Sequence, residues 1–142
     1  MRDLRYGAIF HDIGKIAIPD AILNRPGPLT SSERSVIERH PVLGEQIVSP
    51  VLFLSYGVRS IVRHDHERWD GSGYPDGLSG EEIPLGARIV LVVDAYHAMV
   101  SDRPYRKGMT RQEAQRELGE HAGTQFDRRV VGAFLRVLEA RE

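Results

Sequence analysis

Ala87-Arg88-Ile89-Val90-Leu91-Val92-Val93-Asp94-Ala95-Tyr96-His97-Ala98-Met99-Val100 is the stretch on which the fold turns. It is apolar almost all round, so composition alone admits a buried strand, but fourteen residues suit a central helix better. Its one carboxylate, Asp94, would be buried in such a helix at high cost unless it met a cation or full hydrogen bonding. A divalent metal ion meets that need, and so does a buried arginine such as Arg88 or Arg103.

Outward from this stretch the sequence breaks into further helices. Residues 4–13 read as a helix with Ala8, Ile9 and Ile13 around His11 and Asp12, ended by Gly14. Residues 16–29 carry three prolines and a glycine and are expected to be loop, with one short turn over 20–23. Thr30-Ser31-Ser32-Glu33 has capping-box spacing and opens a helix carrying Val36, Ile37 and His40, which Pro41 kinks or restarts. Amphipathic helices are expected over 43–49, with Leu43, Ile47 and Val48 inward, and over 58–67, with Val58, Ile61 and Val62 inward. Residues 70–86 hold five glycines and two prolines, the composition of a long functional loop. Thr110-Arg111-Gln112-Glu113 repeats the capping box, and Asp127 caps a last helix with Val130, Val131, Phe134, Leu135 and Leu138 inward. The fold class is therefore all-α, a helical bundle with a long Gly/Pro-rich loop. No repeat or linker divides it, and residues 1–142 are read as one domain.

A chain of 142 residues can bury roughly two thirds of its unfolded surface. With 41% hydrophobic and 27% charged residues it has the composition of a soluble globular protein. Nineteen basic and twenty acidic residues leave a formal net charge of −1, which argues against a broad nucleic-acid-binding face, so no DNA or RNA partner is expected. No apolar run approaches the roughly 18 residues that span a bilayer, and no signal-peptide core follows Met1. No membrane partner is expected, and the expected location is cytoplasmic. The absence of cysteine agrees with that and removes thiolate ligation, so any metal must sit on histidine and carboxylate. Lys15 and Lys107 are the only lysines among the 19 basic residues, which singles out Lys15 for inspection.

The residues that carry chemistry are His11-Asp12, His40, His66, Asp94 and the basic cluster Arg103-Pro104-Tyr105-Arg106-Lys107. Each alone is weak, since a lone histidine on an apolar helix is more often a core residue than a ligand. The basic cluster alone reads as a solvated helix terminus. Together they favour a metal centre. His and Asp donors without Cys suit Fe, Mn, Zn or Mg. A carboxylate can bridge two such ions about 3.5–4 Å apart, the arrangement of many phosphoester hydrolases, and arginine forks can hold phosphate oxygens.

At these residues the sequence resembles a known family. His11-Asp12-Ile13-Gly14-Lys15, followed by Ile18-Pro19-Asp20-Ala21-Ile22-Leu23-Asn24, resembles the signature of HD-superfamily phosphohydrolases. His66-Glu67-Arg68-Trp69-Asp70-Gly71-Ser72-Gly73-Tyr74-Pro75-Asp76-Gly77-Leu78 resembles the second signature, with the Gly-Tyr-Pro triplet of the HD-GYP subfamily. Asp94-Ala95-Tyr96, Ser101-Asp102-Arg103-Pro104-Tyr105-Arg106 and Gly123-Thr124-Gln125-Phe126-Asp127 match as well, so the resemblance runs from residue 4 to residue 138. It implies an all-α HD bundle, a site of two or three metal ions filled by iron or manganese, and hydrolysis of cyclic di-GMP to linear pGpG or GMP. By position it implies metal ligands at His11, Asp12, His40, His66 and Asp94, with Asp12 the bridge. Lys15, Arg103 and Arg106 match phosphate-contacting groups, and Gly73-Tyr74-Pro75 would shape the pocket, placing Tyr74 against substrate. Asp12 and Lys15 are the expected catalytic residues.

Two departures stand out. The family's usual pair of adjacent histidines is here Asp65-His66, preceded by His64. Either Asp65 ligates as a carboxylate or His64 substitutes by a local shift. The family also carries helices before the His-Asp motif that this sequence lacks. Two metals rather than three are therefore expected, together with either a homodimer or a missing N-terminal or regulatory segment over uncovered apolar surface. Two other readings stand beside cyclic di-GMP hydrolysis: a catalytically impaired module that binds a cyclic dinucleotide, and an HD phosphohydrolase acting on another nucleotide. His64 and His97 are the two histidines considered for protonating the leaving oxygen.

Overall fold

The computed structural model describes residues 1–102 and 107–140. Among these residues the order of α-helices is α1 (Arg2–Phe10), α2 (Asp20–Leu23), α3 (Ser31–Ile37), α4 (His40–Val48), α5 (Tyr56–His64), α6 (Leu85–Val100), α7 (Arg111–Glu120) and α8 (Arg128–Glu139). Short 3₁₀ turns cover Ile13–Ala17 and Gly80–Glu82, and no strand is present among the described residues. The all-α expectation holds. The two capping boxes form as read: Thr30 accepts from the Glu33 N–H while Glu33 accepts from the Thr30 N–H, and Thr110 and Glu113 do the same. Each such cap contributes about 1 kcal/mol. Asp127 caps α8 by accepting from the Arg129 N–H at 2.8 Å.

The stretch that decides the fold is α6, which packs against α1, α5, α7 and α8. On one side Val92 joins Leu118, Phe126, Val130 and Val131 in a core shared with α7 and α8. Val48, Leu54, Val58 and Val62, from α4, α5 and the segment between them, form a second core under Tyr6, Phe10 and Ile13. Each fully buried Val or Leu is worth about 1.5–3 kcal/mol.

Several boundaries differ from the sequence reading, for physical reasons. The first helix stops at Phe10 rather than running to residue 13, and the chain tightens into the 3₁₀ turn at Ile13–Ala17. The turn presses Gly14 onto α4 so closely that a Cβ there would lie 1.9 Å from the His40 carbonyl oxygen and 2.5 Å from the Gly44 nitrogen. Pro41 restarts the chain rather than kinking it: α3 ends at Ile37 and α4 begins at His40, with the proline in its first turn. The fifth helix ends at His64, because residues 65–67 turn inward and Glu67 is drawn to 1% exposure by backbone donors.

The loop after α5 is held at several points. Glu67 accepts from the backbone N–H groups of Asp76, Gly77 and Leu78 at 2.7, 3.1 and 3.0 Å. The N–H groups of Trp69 and Asp70 donate to the carbonyls of Gln125 and Thr124 at 3.1 and 2.8 Å. Arg88 stacks over the Trp69 ring at 5.7 Å and pairs with buried Asp127 at 2.8 Å, joining the loop to α6 and α8.

Candidate metal centre

Four places in the fold deliver side chains to one point. His11 and Asp12 follow the end of α1, His40 opens α4, Asp65 and His66 follow α5, and Asp94 sits in the middle of α6. Asp12, His40 and His66 each offer a ligand atom, and these atoms lie within 4.8 Å of one another. The Asp12 carboxylate faces two ways: Oδ1 is 3.6 Å from His40 Nε2 and Oδ2 is 3.6 Å from His11 Nε2. Asp94 Oδ1 lies 3.7 Å from His11 Nε2, and Asp65 Oδ2 lies 3.7 Å from His66 Nε2.

These separations are too long for hydrogen bonds. His11 Nε2, Asp12 Oδ1, His40 Nε2, Asp65 Oδ1 and His66 Nε2 are all buried with no hydrogen-bond partner. Buried polar atoms are nearly always satisfied, so five convergent exceptions need an explanation. A divalent cation supplies it: the spacing suits atoms that would share ions rather than protons, and the nitrogen and oxygen donors are those of a Zn, Mn or Fe site.

The histidine rings are set for ligation. His11 Nδ1 contacts the Ala8 carbonyl and His40 Nδ1 the Ile37 carbonyl, each at 2.8 Å. A carbonyl can only accept, so Nδ1 carries the proton and Nε2 of a neutral ring presents its lone pair to the site. Burial pushes His40 below the ordinary imidazole value, and burial followed by the nearby His40 pushes His66 down to about 4, keeping both neutral. His11 goes the other way, raised to about 9 by the Asp94 carboxylate against the effect of burial. His11 in turn holds Asp94 below the usual carboxylate range. Burial raises the Asp65 carboxyl well above that range.

Lys15 reaches back from the 3₁₀ turn, its Nζ donating to Asp12 Oδ2 at 2.7 Å. Tyr74 stacks on His66, with centroids 5.1 Å apart and planes at 14°, and meets His40 edge-on at 6.5 Å. Gly73 allows this: a Cβ there would lie 2.3 Å from the Arg68 nitrogen, and the Tyr74 N–H donates to the His66 carbonyl at 3.3 Å. The Gly-Tyr-Pro loop thus folds back over the histidine pair.

Four sequence expectations need correction or placement. Asp94 is not enclosed: its side chain is 46% exposed, because the outer face of α6 opens onto an apolar pocket lined by Leu4, Ala8, Val93 and His97. Arg88 is not its partner, being committed to Asp127. His64 does not substitute at the site, since its Nδ1 contacts the Ser60 carbonyl at 2.8 Å and its Nε2 meets Asp76 at 3.0 Å. Arg103 and Arg106 lie outside the described residues. Glu67, to which the sequence motif assigns no role, anchors the loop from beneath. Its position just before a glycine-rich segment is the signal in the sequence, since such loops leave backbone N–H groups in need of an acceptor.

Across residues 1–130 the sequence matches the family described as HD domain. The chain belongs to the HD domain family. This HD domain is 48% identical over 138 residues to the cyclic di-GMP phosphodiesterase response regulator RpfG of Xanthomonas campestris, covering 96% of this chain and 36% of that protein. It is 45% identical over 139 residues to a cyclic di-GMP phosphodiesterase of Thermotoga maritima, covering 95% of this chain and 37% of that one. The chain thus spans about a third of the length of these curated relatives. The HD domain superposes on Bd1817, an HDGYP protein of Bdellovibrio bacteriovorus, with TM-score 0.74 at 23% identity over 97% of this chain and 44% of that one. Against a cyclic GMP-AMP specific phosphodiesterase of V. cholerae, V-cGAP3, the TM-score is 0.73 at 21% identity over 96% of this chain and 38% of that one. These likenesses confirm the helical HD fold.

Proposed function

We propose that this HD domain is the catalytic core of a metal-dependent phosphodiesterase that hydrolyses cyclic di-GMP to linear pGpG or GMP. The observation that carries the reading is the convergence of buried, unpartnered ligand atoms from His11, Asp12, His40 and His66. The names of RpfG and the Thermotoga maritima relative support the substrate. His11, Asp12, His40, His66 and Asp94 would hold two divalent ions, iron or manganese, and that group would supply Lewis-acid polarisation of a phosphoryl oxygen and a more acidic water. Asp12, facing a histidine with each oxygen, would serve both halves of the centre. Lys15 fixes that carboxylate and brings a positive charge to the site's edge, where a phosphate gathers charge. Tyr74 covers one side of the histidine pair and forms a wall for the substrate. Of the two histidines able to protonate a leaving oxygen, His64 is engaged by Asp76, whereas His97 lines the pocket that His11 and Asp94 share. Arg103 and Arg106, outside the described residues, complete the phosphate contacts by their match to the family.

A second reading changes only the substrate. Three further relatives are named 3′3′-cGAMP-specific phosphodiesterases, and one of them is 41% identical over 105 residues. Elemental analysis of protein purified without added metal, with chromatography of products from both dinucleotides, tests these readings. Metal near two per chain and release of pGpG or GMP are expected, and both are lost in Asp12→Ala. Unchanged metal content in that variant refutes the bridging role. Tight nucleotide binding without product makes the chain a binding module instead.

A further inference from the structure

Three carboxylate residues are buried among the described residues: Asp65, Glu67 and Asp127. Glu67 takes three backbone N–H groups, and Asp127 takes Arg88 and the cap of α8. Asp65 is different. It is 2% exposed, and its Oδ1 has no partner. A carboxylate taken out of water without hydrogen bonds or a cation is strongly disfavoured, so its position calls for a counter-charge. Its carboxylate meets its own backbone N–H, its Oδ2 faces His66 Nε2 at 3.7 Å, and the charges of His11, Asp12 and Asp94 also act on it. Asp65 therefore lies against His66, in the His40/His66 half of the cluster, and within electrostatic reach of His11 and Asp94.

We propose that Asp65 is a cation ligand spanning both halves, so that two carboxylates, Asp12 and Asp65, bridge the centre and make it prefer a hard divalent cation such as Mn²⁺ over Zn²⁺. The inference rests on the metal-centre reading above and deepens it. An imidazole offers one lone pair, directed along one line, whereas a carboxylate has an oxygen for each of two ions. With Asp65 counted, the centre holds three carboxylates and three imidazoles. Carboxylate oxygens suit Mn²⁺ and Mg²⁺, while imidazole nitrogens suit Zn²⁺ and Fe²⁺, so each exchange of nitrogen for oxygen moves the preference toward the harder ion.

The test is calorimetric titration of Mn²⁺ and of Zn²⁺, each alone, into the full chain and its Asp65→Asn and Asp65→His variants. Asparagine keeps the shape but removes the charge and replaces one of the two ligating oxygens with an amide nitrogen. In Asp65→Asn, Mn²⁺ affinity is expected to fall about tenfold or more, at least the loss seen when an outer-shell partner is removed. Stoichiometry is expected to fall from two ions to one, with Zn²⁺ less affected. Asp65→His is expected to shift the Mn²⁺ to Zn²⁺ preference toward Zn²⁺. Electron paramagnetic resonance adds a readout on the unaltered chain: an exchange-coupled Mn²⁺ pair, replaced by isolated Mn²⁺ in Asp65→Asn. A folded Asp65→Asn chain that binds two Mn²⁺ with unchanged affinity overturns the inference and leaves the metal centre standing. An unaltered chain that binds neither ion overturns the metal-centre reading itself. If Asp65→Asn does not fold, the spectrum of the unaltered chain and the Asp65→His titration decide, and an uncoupled spectrum or an unmoved preference counts against the proposal.

Discussion

Asp76 shows how one side chain can tether a loop from outside. It accepts from Arg63 Nε at 2.7 Å and Arg63 Nη2 at 2.9 Å and meets His64 Nε2 at 3.0 Å, while Arg63 also reaches Glu45 at 2.6 Å. The Arg63 guanidinium, with His64 behind it, holds the Asp76 carboxyl below its ordinary 3.8. A group whose folded pKa is depressed contributes its stability in full above the unfolded value and loses it as pH falls through the folded one. Acidification below about pH 4 is thus expected to release this tether, and Asp76→Asn is expected to lack that acid-sensitive step. Hydrogen exchange at the N–H groups of residues 76–78 across pH checks it, and matching acid profiles for the two chains would remove the ion pair from the account. At this scale the sequence was legible wherever residue type restricts chemistry. Histidines and carboxylates in a chain without cysteine pointed to a metal centre, and His11, Asp12, His40 and His66 do converge. The partners of His64 and Arg88 were not legible, because they depend on loop and helix positions far away in sequence.

The 3₁₀ turn at Ile13–Ala17 is the element that sets the centre's dimensions. It carries Lys15 and follows Asp12, and through Gly14 it rests on the backbone of α4, whose first residue is His40. Gly14→Ala must displace the His40 carbonyl, and backbone cannot yield as a flexible side-chain tip does. The expected cost is about 3 kcal/mol, the upper range for overpacking, with a loss of metal affinity as Asp12 and His40 move apart. Chemical denaturation and metal titration of this variant read the two effects. A variant of unchanged stability and affinity would mean that the contact is not tight in solution. The caps of α3, α7 and α8 were legible because a capping residue acts within three positions of itself. The ends of α1 and α5 were not, because contacts with α4 and with the distant loop end those helices before their local propensity does.

Over the whole molecule, α6 contributes Val92 to one hydrophobic core and packs against α1 and α5, which carry residues of the other, and the candidate centre draws ligand atoms from the neighbourhood of α1, α4, α5 and α6. Cations bound there would pull together segments as far apart in sequence as His11 and Asp94, 83 positions. Binding to the folded chain alone stabilises it by about 2.7 kcal/mol at a hundredfold excess over Kd. Melting with and without Mn²⁺ is expected to show a rise of several degrees in Tm for the unaltered chain and none for Asp12→Ala. An equal rise in both would place the cation elsewhere. Trp69 is the chain's sole tryptophan, and it sits at the seam where the loop, α6 and α8 meet, under the Arg88 guanidinium and tied to Gln125. Its intrinsic fluorescence is therefore a local gauge in a protein-wide signal: a change in emission colour or lifetime reports on that one junction, with no label attached.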